Sequence, residues 1–131
     1  MSTTGDSRVK DGSRCPCAGQ TLDRLLQPAA LTVLSAGPLH CYRLAGRIAS
    51  MVAPEVPPDA AGVYRILKVM EKRGLVASSW DVSGARPARR LYRISPAGRR
   101  CLRRWVGTLS RHRRMVEGLL RQARKAARPP R

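Results

Sequence analysis

The sequence predicts a mainly α fold with one small β-hairpin. Four stretches place apolar residues at helical spacing, one intervening stretch alternates with a period of two, and Pro or Gly stands at the junctions between them. A chain of 131 residues with 43% apolar content can bury one modest core, so a single small domain is expected.

Residues 1–14 are rich in Ser, Thr, Gly and Asp and lack apolar periodicity, so residues 1–20 are expected to be a disordered leader carrying Cys15 and Cys17. Order is expected from about Leu22. Leu22, Leu25, Leu26, Ala29, Ala30, Val33 and Leu34 recur at helical spacing, with Pro28 marking either a break or a second start, and Gly37 and Pro38 stop the helix. Leu39, Tyr42, Ala45, Ile48 and Ala49 then outline a short second helix with Arg43 and Arg47 on its wet face.

The segment Met51 to Pro58 contains Pro54, Pro57 and Pro58 and reads as a loop. Asp59 fits an N-cap, its carboxylate accepting from free backbone N–H groups of a third helix that runs to about Arg73 and ends at Gly74. Val63, Ile66, Leu67 and Met70 form the expected buried stripe of that helix, and Tyr64, Arg65, Lys68 and Lys72 fall on its other faces.

From Leu75 the period becomes two: Val76, Ser78 and Trp80 alternate with Ala77, Ser79 and Asp81, and Tyr92 and Ile94 alternate with Leu91 and Arg93. Two strands are expected, joined by a basic tip over Val82 to Arg90 that contains Gly84, Pro87, Arg86, Arg89 and Arg90. Ser95 followed by Pro96 starts the last helix, with Ser as cap and Pro at the first position. In it Leu102, Trp105, Leu109, His112, Val116, Leu119 and Ala123 step by three and four, the spacing of a coiled-coil seam, until Pro129 and Pro130. A second copy in a two-fold dimer is the simplest partner for this seam, although its first half can instead serve the monomer core.

This order of three helices, a basic-tipped hairpin and a long helix is that of a winged helix-turn-helix plus a long C-terminal dimerisation helix. The expected division is a leader over 1–20, a DNA-binding winged helix-turn-helix over 21–95, a dimerisation helix over 96–124 and a basic tail over 125–131. In such a fold a helix enters the major groove by its N-terminal part, and neighbouring phosphate contacts fix its register. The expected DNA contacts are therefore Tyr42, Asp59, Ala60, Ala61, Tyr64, Arg65 and Lys68, with Arg86, Arg89 and Arg90 from the wing. The expected dimer contacts are Leu102, Trp105, Leu109, Val116 and Leu119.

Charge agrees with a polyanionic partner. The chain has 26 Lys plus Arg against 8 Asp plus Glu, a formal net charge of +18, and cations brought to phosphates release condensed counterions. Residues 86–131 hold 16 basic residues and one acid, Glu117, whereas residues 1–85 hold 10 basic and 7 acidic ones. The dominance of Arg over Lys suits bidentate phosphate and guanine recognition, and a GC-rich genome produces the same bias.

Three segments carry a family resemblance: Leu34-Ser35-Ala36-Gly37-Pro38-Leu39-His40-Cys41-Tyr42, Gly62-Val63-Tyr64-Arg65-Ile66-Leu67-Lys68-Val69-Met70-Glu71-Lys72-Arg73-Gly74-Leu75, and Pro87-Ala88-Arg89-Arg90-Leu91-Tyr92-Arg93-Ile94-Ser95-Pro96-Ala97-Gly98. In this order and at these intervals they resemble the PadR family of bacterial transcriptional regulators over about Leu22 to Leu120. The resemblance implies a homodimer on a palindromic operator in double-stranded DNA, usually a repressor, loosened by a small-molecule or polymer effector or by a redox change. Cys15-Pro16-Cys17-Ala18-Gly19, Leu22 to Pro28, and Ser79-Trp80-Asp81 look like the polyhydroxybutyrate-responsive branch. Two departures stand out: Cys41 occupies a position where the family usually has Gly, and the loop Met51–Pro58 differs from that branch.

Two other functions remain open on the residues: a non-specific nucleic-acid-binding basic protein, and a thiol- or metal-dependent redox sensor using Cys15 and Cys17. No second Cys pair completes a zinc site, so no metal or other cofactor is expected. Cys41 and Cys101 read as small packing residues, and His112 reads first as a partly exposed packing residue of the seam and second as a pH sensor. No nucleophile with base and orienter, phosphate loop or acid pair is present, so no enzyme is expected. The polar N-terminus and the lack of an apolar run of about 18 residues give a cytoplasmic expectation with no membrane partner.

Overall fold

The computed structural model describes residues 25–52, 60–84 and 87–130. Their elements are α1 (Leu26–Leu34), β1 (Leu39–His40), α2 (Cys41–Val52), α3 (Ala60–Lys72), β2 (Val76–Asp81), β3 (Arg89–Ile94) and α4 (Pro96–Ala126). The expected leader and the cap at Asp59 lie outside the described residues.

α1 is apolar nearly all the way round and so takes the centre, in contact with α2, α3, α4 and β3. Leu31 and Leu34 on it pack with Leu44 and Ile48 of α2, Val63, Leu67 and Met70 of α3, and Tyr92 of β3, all fully buried. Burying each such side chain contributes about 1.5–3 kcal/mol of transfer free energy. Pro28 neither breaks the helix nor restarts it. It falls in the first turn, where an N–H has no helical partner anyway, and its carbonyl accepts from the Thr32 hydroxyl at 2.7 Å.

Three expectations are corrected here. The hairpin is part of a three-stranded antiparallel sheet in the order β1-β3-β2, because Leu39 and His40 pair with Tyr92 and Leu91. Leu39 thus belongs to a strand, and α2 buries Leu44, Ala45 and Ile48 while Tyr42 stays 83% exposed. α2 also continues through Met51 and Val52, which sequence reasoning places in the loop. Pro54 disfavours helix for the residue before it, so a helix can still run to Val52.

The ends of α3 and α4 are built against each other. Gly74 adopts φ +77°, and the N–H groups of Leu75 and Gly74 donate to the carbonyls of Met70 (2.9 Å) and Glu71 (3.0 Å), a Schellman closure that favours Gly. Ser95 caps α4 by accepting from the Gly98 N–H at 3.0 Å, with Pro96 in the first helical position. The Ser95 hydroxyl also donates to the Gly74 carbonyl, and the Ser95 N–H to that of Leu75 at 3.1 Å. Gly98 is buried in this junction, where a Cβ would stand 2.1 Å from the Leu75 carbonyl oxygen.

α4 has 31 residues, a rod about 46 Å long at 1.5 Å per residue. Leu102 and Trp105 pack against the core, and the Trp105 indole N–H donates to Gln27 Oε1 at 2.9 Å. Beyond them the same stripe is in solvent: Leu109 is 37%, Val116 56% and Leu119 68% exposed. The first half of the seam therefore serves the monomer and the second half does not. Among the described residues no helix is long and apolar enough to cross a membrane.

Candidate nucleic-acid interface

α3 divides its circumference cleanly. Val63, Leu67 and Met70 are buried on one side, whereas Ala61, Tyr64, Arg65, Lys68 and Lys72 recur at helical intervals of three and four on the exposed side. Lys68 Nζ lies 5.5 Å from the Tyr64 ring centroid, a cation–π contact at one helical turn that orders both side chains. The structure thus gathers four expected contact residues, Ala61, Tyr64, Arg65 and Lys68, into one solvent-facing stripe with Lys72 at its far end. Sequence reasoning places Lys72 off the buried stripe with these residues but names no role for it.

Tyr42 stands exposed in the first turn of α2, one residue after Cys41, whose partly buried side chain packs against the core. Burial pushes the Cys41 thiol above its ordinary pKa of 9.0, so it stays protonated at neutral pH. Cys101, also partly buried, has its sulfur 3.9 Å from Gln27 Oε1.

The wing is tied to α3 by a cluster on its inner face. Glu71 accepts from the Ser78 hydroxyl at 2.7 Å and lies 3.7 Å from the Arg90 guanidinium, which sits 5.0 Å from the Trp80 ring centroid. Arg90 is therefore at the base of the wing against α3, while Arg89, its neighbour in the strand, is exposed on the opposite face. Sequence reasoning missed the part played by Glu71, because an acid late in a basic helix looks like any solvated charge. Its pairing depends on a strand that follows only after the Gly74 turn.

A second tie lies on the outer face. His40 Nε2 is 2.9 Å from Asp81 Oδ2, joining the residue before α2 to the end of β2 across β3. The Ser83 hydroxyl (2.7 Å) and N–H (3.1 Å) donate to Asp81 Oδ1 and, with His40, hold its carboxyl down to about 2. Asp59, Arg86, Cys15 and Cys17 lie outside the described residues, and of Ala60 only its place at the start of α3 is described. Among the described residues no group of three or more His, Cys, Asp and Glu could hold a metal ion.

Residues 30–104, more than half of the chain, match the transcriptional regulator PadR-like family. The chain belongs to this family. Its fold is also that of solved transcriptional regulators. A transcriptional regulator of Thermoplasma acidophilum is 27% identical, with a TM-score of 0.68 over 77% of this chain and 95% of its own. A PadR family regulator of Eggerthella lenta is 27% identical, with a TM-score of 0.61 over 79% and 91%. Bacillus subtilis PadR, solved in complex with operator DNA, shares the fold at 20% identity and a TM-score of 0.57, over 63% of this chain and 47% of that one. No curated protein matches the sequence. The PadR-like family is one of transcriptional regulators, and the winged-helix expectation agrees with its fold.

Proposed function

We propose that the protein is a homodimeric, sequence-specific repressor that leaves a palindromic operator when an effector binds. The observation that carries this reading is the exposed stripe of α3, whose opposite side is locked into the core. Ala60, Ala61, Tyr64 and Arg65, with Asp59 before them, occupy the N-terminal half of the helix, the part that meets base edges in the major groove. Lys68 and Tyr42 take neighbouring phosphates. Arg86 and Arg89 reach the backbone from the wing, and Arg90, braced by Glu71 and Trp80, supports them from its base.

The two-fold partner meets the exposed end of the seam at Leu109, Val116 and Leu119. For the effector we favour the apolar recess of about 110 Å³ between α1, the end of α2 and α4, lined by Leu25, Pro28, Ala29, Thr32, Met51 and Leu109. Leu109 belongs to both recess and seam, so filling one alters the other. A hydroxyalkanoate polyester or oligomer, the ligand class of the branch resembled, is the first compound to try.

Salt titrations with an operator selected from genomic fragments and with a random duplex test the reading. Preference for operator of about 10³-fold or more at physiological salt is expected. Tyr64→Ala or Arg65→Ala should cost about 1–3 kcal/mol on operator and little on random DNA, whereas Arg89→Ala should weaken both by similar factors. Equal affinities with parallel salt slopes would mean that the protein does not read sequence.

A further inference from the structure

Most of the positive charge plays no part in the reading above. Pro96–Ala126 holds 10 Arg or Lys and a single acid, Glu117. Placed on the heptad whose seam runs through Leu102 and Trp105, Arg100, Arg114 and Arg121 recur at one position and Arg104 and Arg111 at an adjacent one, all on the side away from the seam and all exposed. Among the described residues the ion pairs are His40–Asp81 and Arg90–Glu71, so none neutralises these arginines.

We propose that this outer face of α4 is a second duplex-DNA surface, which grips the phosphate backbone without reading sequence while α3 and the wing hold the operator. The proposal rests on the repressor reading only for the second half of that sentence. Position supports it: Leu102 and Trp105 fix the seam side against the body, so the arginine side points outward, and burying the rest of the seam in a dimer leaves it free. Reach supports it as well. From Arg100 to Arg121 the row spans about 32 Å, on the order of nine base pairs of backbone. Guanidinium groups pair with phosphate oxygens bidentately, which suits a polyphosphate rod. The arginine face carries no aromatic side chain on which unpaired bases would stack, and that favours duplex over single strands.

The test is a variant carrying Arg100→Gln, Arg111→Gln, Arg114→Gln and Arg121→Gln, beside a second with Lys at the same four positions. Each lost phosphate contact lowers the salt slope for random duplex by about 0.9, so the Gln variant should lose about 3–4 units and the Lys variant almost none. Between about 50 and 200 mM salt, wild-type affinity should then fall on the order of a hundredfold more than that of the Gln variant. Operator-loaded wild type should capture a second, labelled random duplex, and the operator-loaded Gln variant should not. A slope unchanged in the Gln variant, or no capture by operator-loaded wild type, overturns the proposal. So does tighter, arginine-dependent binding of single-stranded RNA or of anionic vesicles. Arg65→Ala separates the two readings: it should cut operator preference by about 5- to 150-fold and leave the α4-dependent salt slope in place.

Discussion

Between Leu26 and Ile94 the apolar stripes of three helices and one sheet face close on a shared interior, whereas past Trp105 the last helix keeps Val106, Met115, Val116, Leu119 and Leu120 in solvent. The body closes its own interior, and two of its exposed aromatics, Tyr42 and Tyr64, stand where the DNA contacts are expected, while the third, Trp80, lies against Arg90. The distal half of α4 repeats the amphipathic pattern with nothing of its own to bury it against. Charge divides in the same place, with scattered cations on the body and a dense arginine face on the rod. Apolar periodicity thus reports that a helix has a buried side without saying which molecule buries it.

The sharpest way to break this contrast is a charge on the exposed seam. Val116→Asp places a carboxylate where we expect two copies to meet, far from every body residue of the core. The variant should sediment as a monomer and unfold at a lower temperature that no longer depends on protein concentration, because it loses the stabilisation dimerisation supplies by mass action. Operator affinity should fall by roughly 10²- to 10⁴-fold, the gain that linking two half-site readers ordinarily brings. A dimer of unchanged stability would show that the seam serves something else.

Next in size is a change at the junction of the two regions. Gly98→Ala drives a Cβ to 2.1 Å from the Leu75 carbonyl oxygen and 2.8 Å from Ile94 Cγ1, and the first of these is backbone that cannot swing aside. A loss of more than about 2 kcal/mol is expected, seen as a fall in melting temperature of about 8–16 °C. Gly107→Ala, on the rod, meets only Arg111 Nη1 at 3.6 Å. There alanine should stabilise by about 0.5–1 kcal/mol through helix propensity. Equal effects at the two glycines would mean that α4 is not clamped at its start.

The same division governs what could be read from the residues. Val63, Leu67 and Met70, the Gly74 stop and the Ser95-Pro96 start are local signals, and each is found where it was expected. β1 was not legible, because two residues, Leu39 and His40, are too few to show a period and their partners stand some fifty residues later. Leu44 was lost to Leu39 and Tyr42 for the same reason: starting the helix too early rotated its apolar face. At the candidate site the α3 stripe followed from helical spacing, but the bracing of Arg90 by Glu71 and the His40–Asp81 contact depend on the packing of separate elements. No sequence window contains them.

The smallest expected effect probes one of those contacts. The Asp81 carboxyl is held at about 2, below its ordinary 3.8, chiefly by the Ser83 hydroxyl and N–H and then by His40. A group whose folded value is depressed stabilises the fold above its unfolded value and loses that contribution as pH falls toward the folded one. The tie between the start of α2 and the wing should therefore be intact at pH 5 and above and weaken between about pH 4 and pH 2. Asp81→Asn cannot lose a charge it lacks. In denaturant titrations the wild type should exceed this variant at pH 5, and the two should converge as the pH approaches 2. The margin itself should be small, because the pair lies near the surface with both partners in contact with solvent. A difference that stays constant to pH 2 would show that Asp81 acts by shape rather than by charge. Placing aspartate at Val116 should not alter this acid profile, since the wing tie belongs to the body and the seam to the rod.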